Sequence, residues 1–117
     1  MNNTAMALVV KFVLTFGAAI LAFYMIDGNP IGWVFFVALI GTVANYILGD
    51  LIVLPAYGNV FAAFGDGVMA AIIAYGVAMF STVFIVSNTS LFVFLAIVVV
   101  AELFFHMYLK RDRKVAP

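Results

Sequence analysis

The chain contains no cysteine. That excludes disulfides, thiolate metal sites and a cysteine nucleophile, and it leaves the redox compartment undetermined. The single histidine, His106, excludes any metal motif built on two histidines. Charge is also scarce: Asp, Glu, Lys and Arg make up 9% of the residues, against about a quarter in an ordinary soluble domain. A basic face for nucleic acid is absent, because four of the five basic residues, Lys110, Arg111, Arg113 and Lys114, crowd the C-terminus and leave only Lys11 elsewhere. No G-x-S-x-G elbow, H-E-x-x-H pair or phosphate-binding loop occurs, so the reading is of a non-enzymatic protein that needs no cofactor.

What the sequence has in abundance is apolar length. Hydrophobic residues form 68% of the 117 positions, and the mean hydropathy is +1.30. A membrane-spanning helix needs about 20 mostly apolar residues at about 1.5 Å each. Four runs qualify, at about 4–26, 31–54, 59–86 and 91–109, followed by a basic tail at 110–117. The turn signals between them are "DGNP", "PAYGN" and "SNTS", and Asn88, Thr89 or Ser90 is placed to cap the last helix. Such short connections make sequential helices antiparallel, which predicts an all-α, up-down four-helix bundle forming a single membrane domain. The positive-inside rule puts "KRDRK" in the cytoplasm, and an even number of spans then places both termini there. A cleavable signal peptide fits residues 1–26 poorly, since there is no basic leader, Lys11 interrupts the apolar run and no A-x-A site follows it. Asn88 also begins a glycosylation sequon, but a helix cap is the better reading so close to the bilayer.

This topology gathers the scattered charges. Counted inward from the cytoplasmic ends, Lys11, Asp50, Asp66 and Glu102 all fall roughly 6 to 12 Å below the membrane boundary, at about 1.5 Å per residue. Charges at that depth are expected to face the bundle interior. Small and polar neighbours at helical spacing agree: Ala62, Asp66, Ala70, Ala74 and Ala78 on the third run, Gly41, Asn45 and Gly49 on the second, and Lys11, Thr15, Ala18 and Ala22 on the first. His106 follows Glu102 by one turn. The expected charged polar layer is therefore Lys11, Asp50, Asp66, Glu102 and His106, joined by Asn45 and Asn59. Its three carboxylates outnumber Lys11, so protonation of an acid, a cationic His106 or a bound cation must offset the excess.

Plainer readings stand beside these. Asp66 in "GDG" could be the N-cap of a helix running from Gly67 to Ser87, and Asp50 could mark a helix end at the headgroups. Lys11 could snorkel. Glu102 and His106 could be an i, i+4 hydrogen-bonded pair or could join the carboxylates around a hard or borderline metal ion, although no spacing motif demands a metal. Trp33, Tyr46, Tyr57, Tyr75 and Tyr108 read as interfacial belt residues, and Phe104 and Phe105 as lipid-facing or packing residues. An aspartyl protease pair of Asp50 and Asp66 lacks any supporting motif.

The stretches "VKF" at Val10–Phe12, "YILGDLIVLPAYGN" at Tyr46–Asn59, "GDG" around Asp66 and "ELFFHMYL" at Glu102–Leu109 resemble the YndM-like family over nearly the whole chain. These are small four-span membrane proteins of spore-forming Gram-positive bacteria. The resemblance implies a place in the bacterial cytoplasmic membrane and brings no substrate or catalytic residue to transfer. Small multidrug-resistance exporters share the length and span count, but this chain has no carboxylate in its first helix, where theirs sits.

Two functions are consistent with the sequence. In the first, the charged layer organises helix packing and supports self-association or a membrane-protein partner within the lipid bilayer. In the second, Asp50 and Asp66 form a proton or small-cation site of a transporter or channel-like protein, with Glu102 and His106 as a relay.

Overall fold

The computed structural model describes residues 3–111. The basic tail beyond Arg111 and the side chains of Tyr108, Lys110 and Arg111 lie outside the described residues. Among the described residues every regular element is helical. Four helices are long and apolar enough to cross a membrane: Thr4–Ile26, Ile31–Tyr57, Asn59–Met79 and the membrane-length part, Asn88–Met107, of a last helix that runs Asn88–Arg111. Each helix packs on its neighbours in the chain, and the fourth returns to the first, closing an up-down ring. The bundle is 42 Å long, enough for a hydrocarbon core of about 30 Å and part of the headgroup layers.

The interior facing the "DGNP" end is apolar. Ala18, Ala22, Phe23, Val34, Ala38, Phe84, Phe94 and Val98 form its core, with the Phe23 ring 4.8 Å from that of Phe94. Small residues on the first and third helices, Ala18, Ala22, Ala70 and Ala74 among them, let the backbones approach. Bulky residues point outward, as at Val13 and Ile72, which are 61% and 65% exposed; this apolar rim is what hydrocarbon requires. Tyr46, expected in an interfacial belt, is instead buried.

The first helix ends as its turn residues dictate. Gly28 takes a positive φ of 73°, its amide bonds back to the Tyr24 carbonyl at 3.0 Å, and the Asn29 amide bonds to that of Phe23 at 3.0 Å. The second helix runs past the expected stop at Leu54 to Tyr57 and ends at Gly58, whose φ is 89°. Pro55 does not break it. The carbonyl that its ring would crowd, four residues back at Leu51, lies within a stretch of wider π-helix, Asn45–Val53. The wider turns bring Asn45 and Asp50, five residues apart, to the same buried face.

The third helix departs furthest from expectation. It starts at Asn59 as predicted but stops at Met79 rather than near 86, and residues 82–87 cross the end of the bundle without helix. Two side chains replace the backbone ladder there. The Ser81 hydroxyl accepts the amides of Val83 and Phe84, both at 3.0 Å. Asn29 accepts the Ile85 amide at 2.8 Å and donates to the Ile85 carbonyl at 2.7 Å and the Phe23 carbonyl at 2.9 Å. The β-branched residues Thr82, Val83, Ile85 and Val86 also hold helix poorly. The fourth helix is capped by Ser87 and not by the residues after it. Ser87 Oγ accepts the Ser90 amide at 3.1 Å and Ser90 Oγ accepts the Ser87 amide at 2.9 Å, a reciprocal capping box. Asp27 accepts the Ser87 hydroxyl at 2.9 Å and ties this cap to the first turn.

Candidate functional site: a buried ionic cluster

At the opposite end of the bundle the helices converge on charge. Lys11, Asp50, Asp66, Glu102 and His106 come from four different helices, and none is more than 3% exposed. Asp66 lies in the middle of a helical turn, buried, which excludes the N-cap reading of "GDG". Lys11 does not snorkel. Its ammonium bonds both oxygens of Glu102, the longer contact being 2.7 Å, and lies 3.2 Å from Asp50 Oδ2 and 3.8 Å from Asp66 Oδ2. The face of Phe105 covers it at 4.8 Å, so that ring is part of the site and not of the lipid surface. Phe104, by contrast, is 67% exposed.

His106 is the second base. Its Nε2 is 2.9 Å from Asp50 Oδ1 and 3.1 Å from Asp66 Oδ2, and a longer 3.7 Å from Glu102 Oε2. The expected one-turn pair with Glu102 therefore gives way to bonds across helices. Its Nδ1 meets Asn59 Oδ1 at 3.0 Å, while Asn59 Nδ2 donates to the Leu103 carbonyl at 3.3 Å. That arrangement turns the acceptor oxygen of Asn59 toward the ring, so the hydrogen-bond network assigns a hydrogen to Nδ1.

Proton counting follows from this geometry. Nε2 faces carboxylate oxygens on Asp50 and Asp66, and such a contact needs a hydrogen between nitrogen and oxygen. That hydrogen belongs either to an imidazolium or to a protonated carboxyl. With that one proton counted, the five groups carry a net charge of minus one, because three carboxylates face Lys11 and one shared proton. Low dielectric makes that excess expensive.

Asp50, Asp66, Glu102 and His106 each offer one ligand atom, and these atoms lie within 4.8 Å of one another. Distances alone would suit a hard cation of about 2.0–2.6 Å ligand radius. However, the Lys11 ammonium already stands within 3.8 Å of a carboxylate oxygen on all three acids. A metal ion there would meet a fixed positive charge, so the donor set fits the lysine and a proton better than a metal.

Of the seven residues expected in the layer, six meet in this network, with Asn59 as the bridge from His106 to the third helix's first turn. Asn45 does not join it. Its amide is fully buried and makes no hydrogen bond to protein, and the same is true of the Thr42 hydroxyl one turn away. Sequence reading missed Phe105 and Thr42, although Thr42 lies three residues from Asn45 beside the Gly41–Asn45–Gly49 ridge.

With the geometry established, comparison with known proteins adds one match. Residues 2–115 match the family described as protein of unknown function DUF2512. The chain belongs to the DUF2512 family. Membership covers both hairpins and every residue of the cluster, so the ionic layer is contained within the DUF2512 unit. No curated protein and no solved structure matches. Four apolar helices fit a multi-pass membrane protein of this uncharacterised family.

Proposed function

We propose that this is a non-enzymatic, multi-pass protein of the bacterial cytoplasmic membrane, related to the YndM-like proteins, whose buried ionic layer locks four helices together near the cytoplasmic face. The observation that carries the reading is Lys11. One ammonium on the first helix contacts an acid on each of the other three. Helix packing in lipid lacks the hydrophobic drive available in water, and interhelical polar contacts act as its glue. The basic tail supports a cytoplasmic position for both termini. Because the described charges of the layer point inward, self-association or a membrane partner would engage the apolar outer faces.

A second reading is favoured by the proton count. Buried ion pairs contribute little net stability compared with apolar packing of the same volume, and ionisable groups within a membrane domain commonly mark ion or proton sites. A cluster at minus one becomes neutral on taking up one proton, so the layer is suited to bind and release a proton through Asp50, Asp66 and His106. Thermal unfolding in detergent, measured against pH and against added Na⁺, Mg²⁺ or Ca²⁺, separates these roles. A pH-dependent midpoint that ignores the cations supports the proton site, and a response flat to both supports architecture alone. Specific stabilisation by one cation would overturn the proton assignment in favour of an ion site.

A further inference from the structure

We infer that a buried water-binding site lies beside Gly41, held by the Asn45 amide and the Thr42 hydroxyl, and extends the polar interior from Asp66 toward the membrane centre. The inference rests on the proton-site reading for its purpose, though not for its geometry. Three observations meet on one face of the second helix.

The first is unmet hydrogen-bonding capacity. Asn45 is 0% exposed and Thr42 is 3% exposed, yet neither the amide group of Asn45 nor the hydroxyl of Thr42 bonds to protein. Buried polar side chains nearly always have a protein or water partner. Residues three apart on a helix are neighbours, so these two present their donors and acceptors together.

The second is room. Gly41 is buried, one turn before Asn45. A methyl group built on it would meet only the Thr15 methyl, at an ordinary contact distance of 3.9 Å, apart from its own helix. The glycine thus leaves the side of the helix beside Asn45 without a side chain of its own, and a water there needs two to four polar partners to stay. The Asn45 amide supplies both donor and acceptor, and Thr42 supplies a hydroxyl.

The third is continuity with the cluster. Gly49, one turn beyond Asn45, lies directly against the Asp66 carboxylate, and Asp66 Oδ1 also makes no hydrogen bond to protein. Unbonded buried polar atoms thus run along the second helix from Thr42 through Asn45 to the Asp66 oxygen at Gly49. Beyond Thr42 the path is closed by the apolar core around Ala38, Val34, Phe23 and Phe94. The feature is a blind chamber and not a pore. Its water hands protons to and from Asp66, within a cluster whose other titratable groups are Lys11, Asp50, Glu102 and His106.

Water-edited ¹³C solid-state NMR on the labelled protein in phosphatidylcholine–phosphatidylglycerol bilayers tests the site directly. Magnetisation should reach Asn45 Cγ from water at least about threefold faster than it reaches the buried Val37 and Ala38 methyls, as expected for a hydrogen-bonded internal water. Gly41→Ala fills the space and should bring Asn45 Cγ down to the core rate; Asn45→Leu should leave Thr42 at that rate. Asn45 Cγ as slow as Val37 in the unaltered protein overturns the proposal, and so does a rate unchanged by Gly41→Ala. Proton uptake by proteoliposomes carrying an internal pH dye then tests the underlying reading separately. Uptake unaffected by Asp50→Asn and Asp66→Asn rejects the proton site while a hydrated Asn45 stands. Uptake lost in those variants but unchanged in Gly41→Ala rejects the chamber's role alone.

Discussion

Gly49 and Asp66 approach so closely that a methyl group on Gly49 would overlap the Asp66 carboxylate. The glycine thereby sets where that carboxylate sits, 3.1 Å from His106 Nε2. Gly49→Ala should therefore displace Asp66 and destabilise the bundle by about 1–3 kcal/mol, the usual cost of overpacking. Gly65→Ala is the control, because a methyl group there meets nothing within 4 Å. Equal unfolding midpoints for the two variants in detergent would contradict the assignment.

Removing Lys11 should cost far more than removing one of its acids. Lys11→Met leaves three buried carboxylates with His106 as the remaining base, and breaking a buried pair on one side costs about 3–5 kcal/mol. Adding Glu102→Gln to the same chain should restore part of the loss, since Glu102 is the acid that Lys11 bonds directly. Denaturant unfolding of both single variants and the double variant gives the coupling energy. A strictly additive double variant would show that the pair is not coupled.

Asn29 holds residues 82–87 across the end of the bundle through two side-chain hydrogen bonds to Ile85, and a third to the Phe23 carbonyl anchors it to the first helix. Asn29→Ala should destabilise the protein by roughly 2–3 kcal/mol, at about 1 kcal/mol for each bond and with buried backbone groups left unpaired. Amide exchange should accelerate at Ile85, whose N–H bonds to Asn29 Oδ1, and should stay unchanged at Ala70 in the third helix. Uniform acceleration at both positions would point to global unfolding and not to release of a local clasp.

Much of the site could be read before the fold was known, because apolar runs constrain charges so tightly. Once four spans are placed, Lys11, Asp50, Asp66 and Glu102 have a common depth, and the cost of facing lipid turns them inward. Helical periodicity likewise placed Ala62, Ala70 and Ala74 inside. Depth carries no pairing information, however, so His106 could be expected beside Glu102, four residues away, when it bonds Asp50 from 56 residues away. The end of the third helix was hidden for a similar reason. "FSTVFIVS" has the hydropathy of a continuing span, and what ends it is the distant amide of Asn29, within a turn that reads locally as no more than "DGNP".

The distribution of the charges along the chain also bears on assembly. The first hairpin carries its own acid and base, Lys11 and Asp50, 3.2 Å apart, and the second carries Asp66 and His106, 3.1 Å apart. Each hairpin can thus enter the bilayer during synthesis with a charge already matched. The unmatched group is Glu102 on the last helix, whose ammonium partner was made 91 residues earlier. Joining the two hairpins is then the step that gives the final carboxylate its ammonium partner.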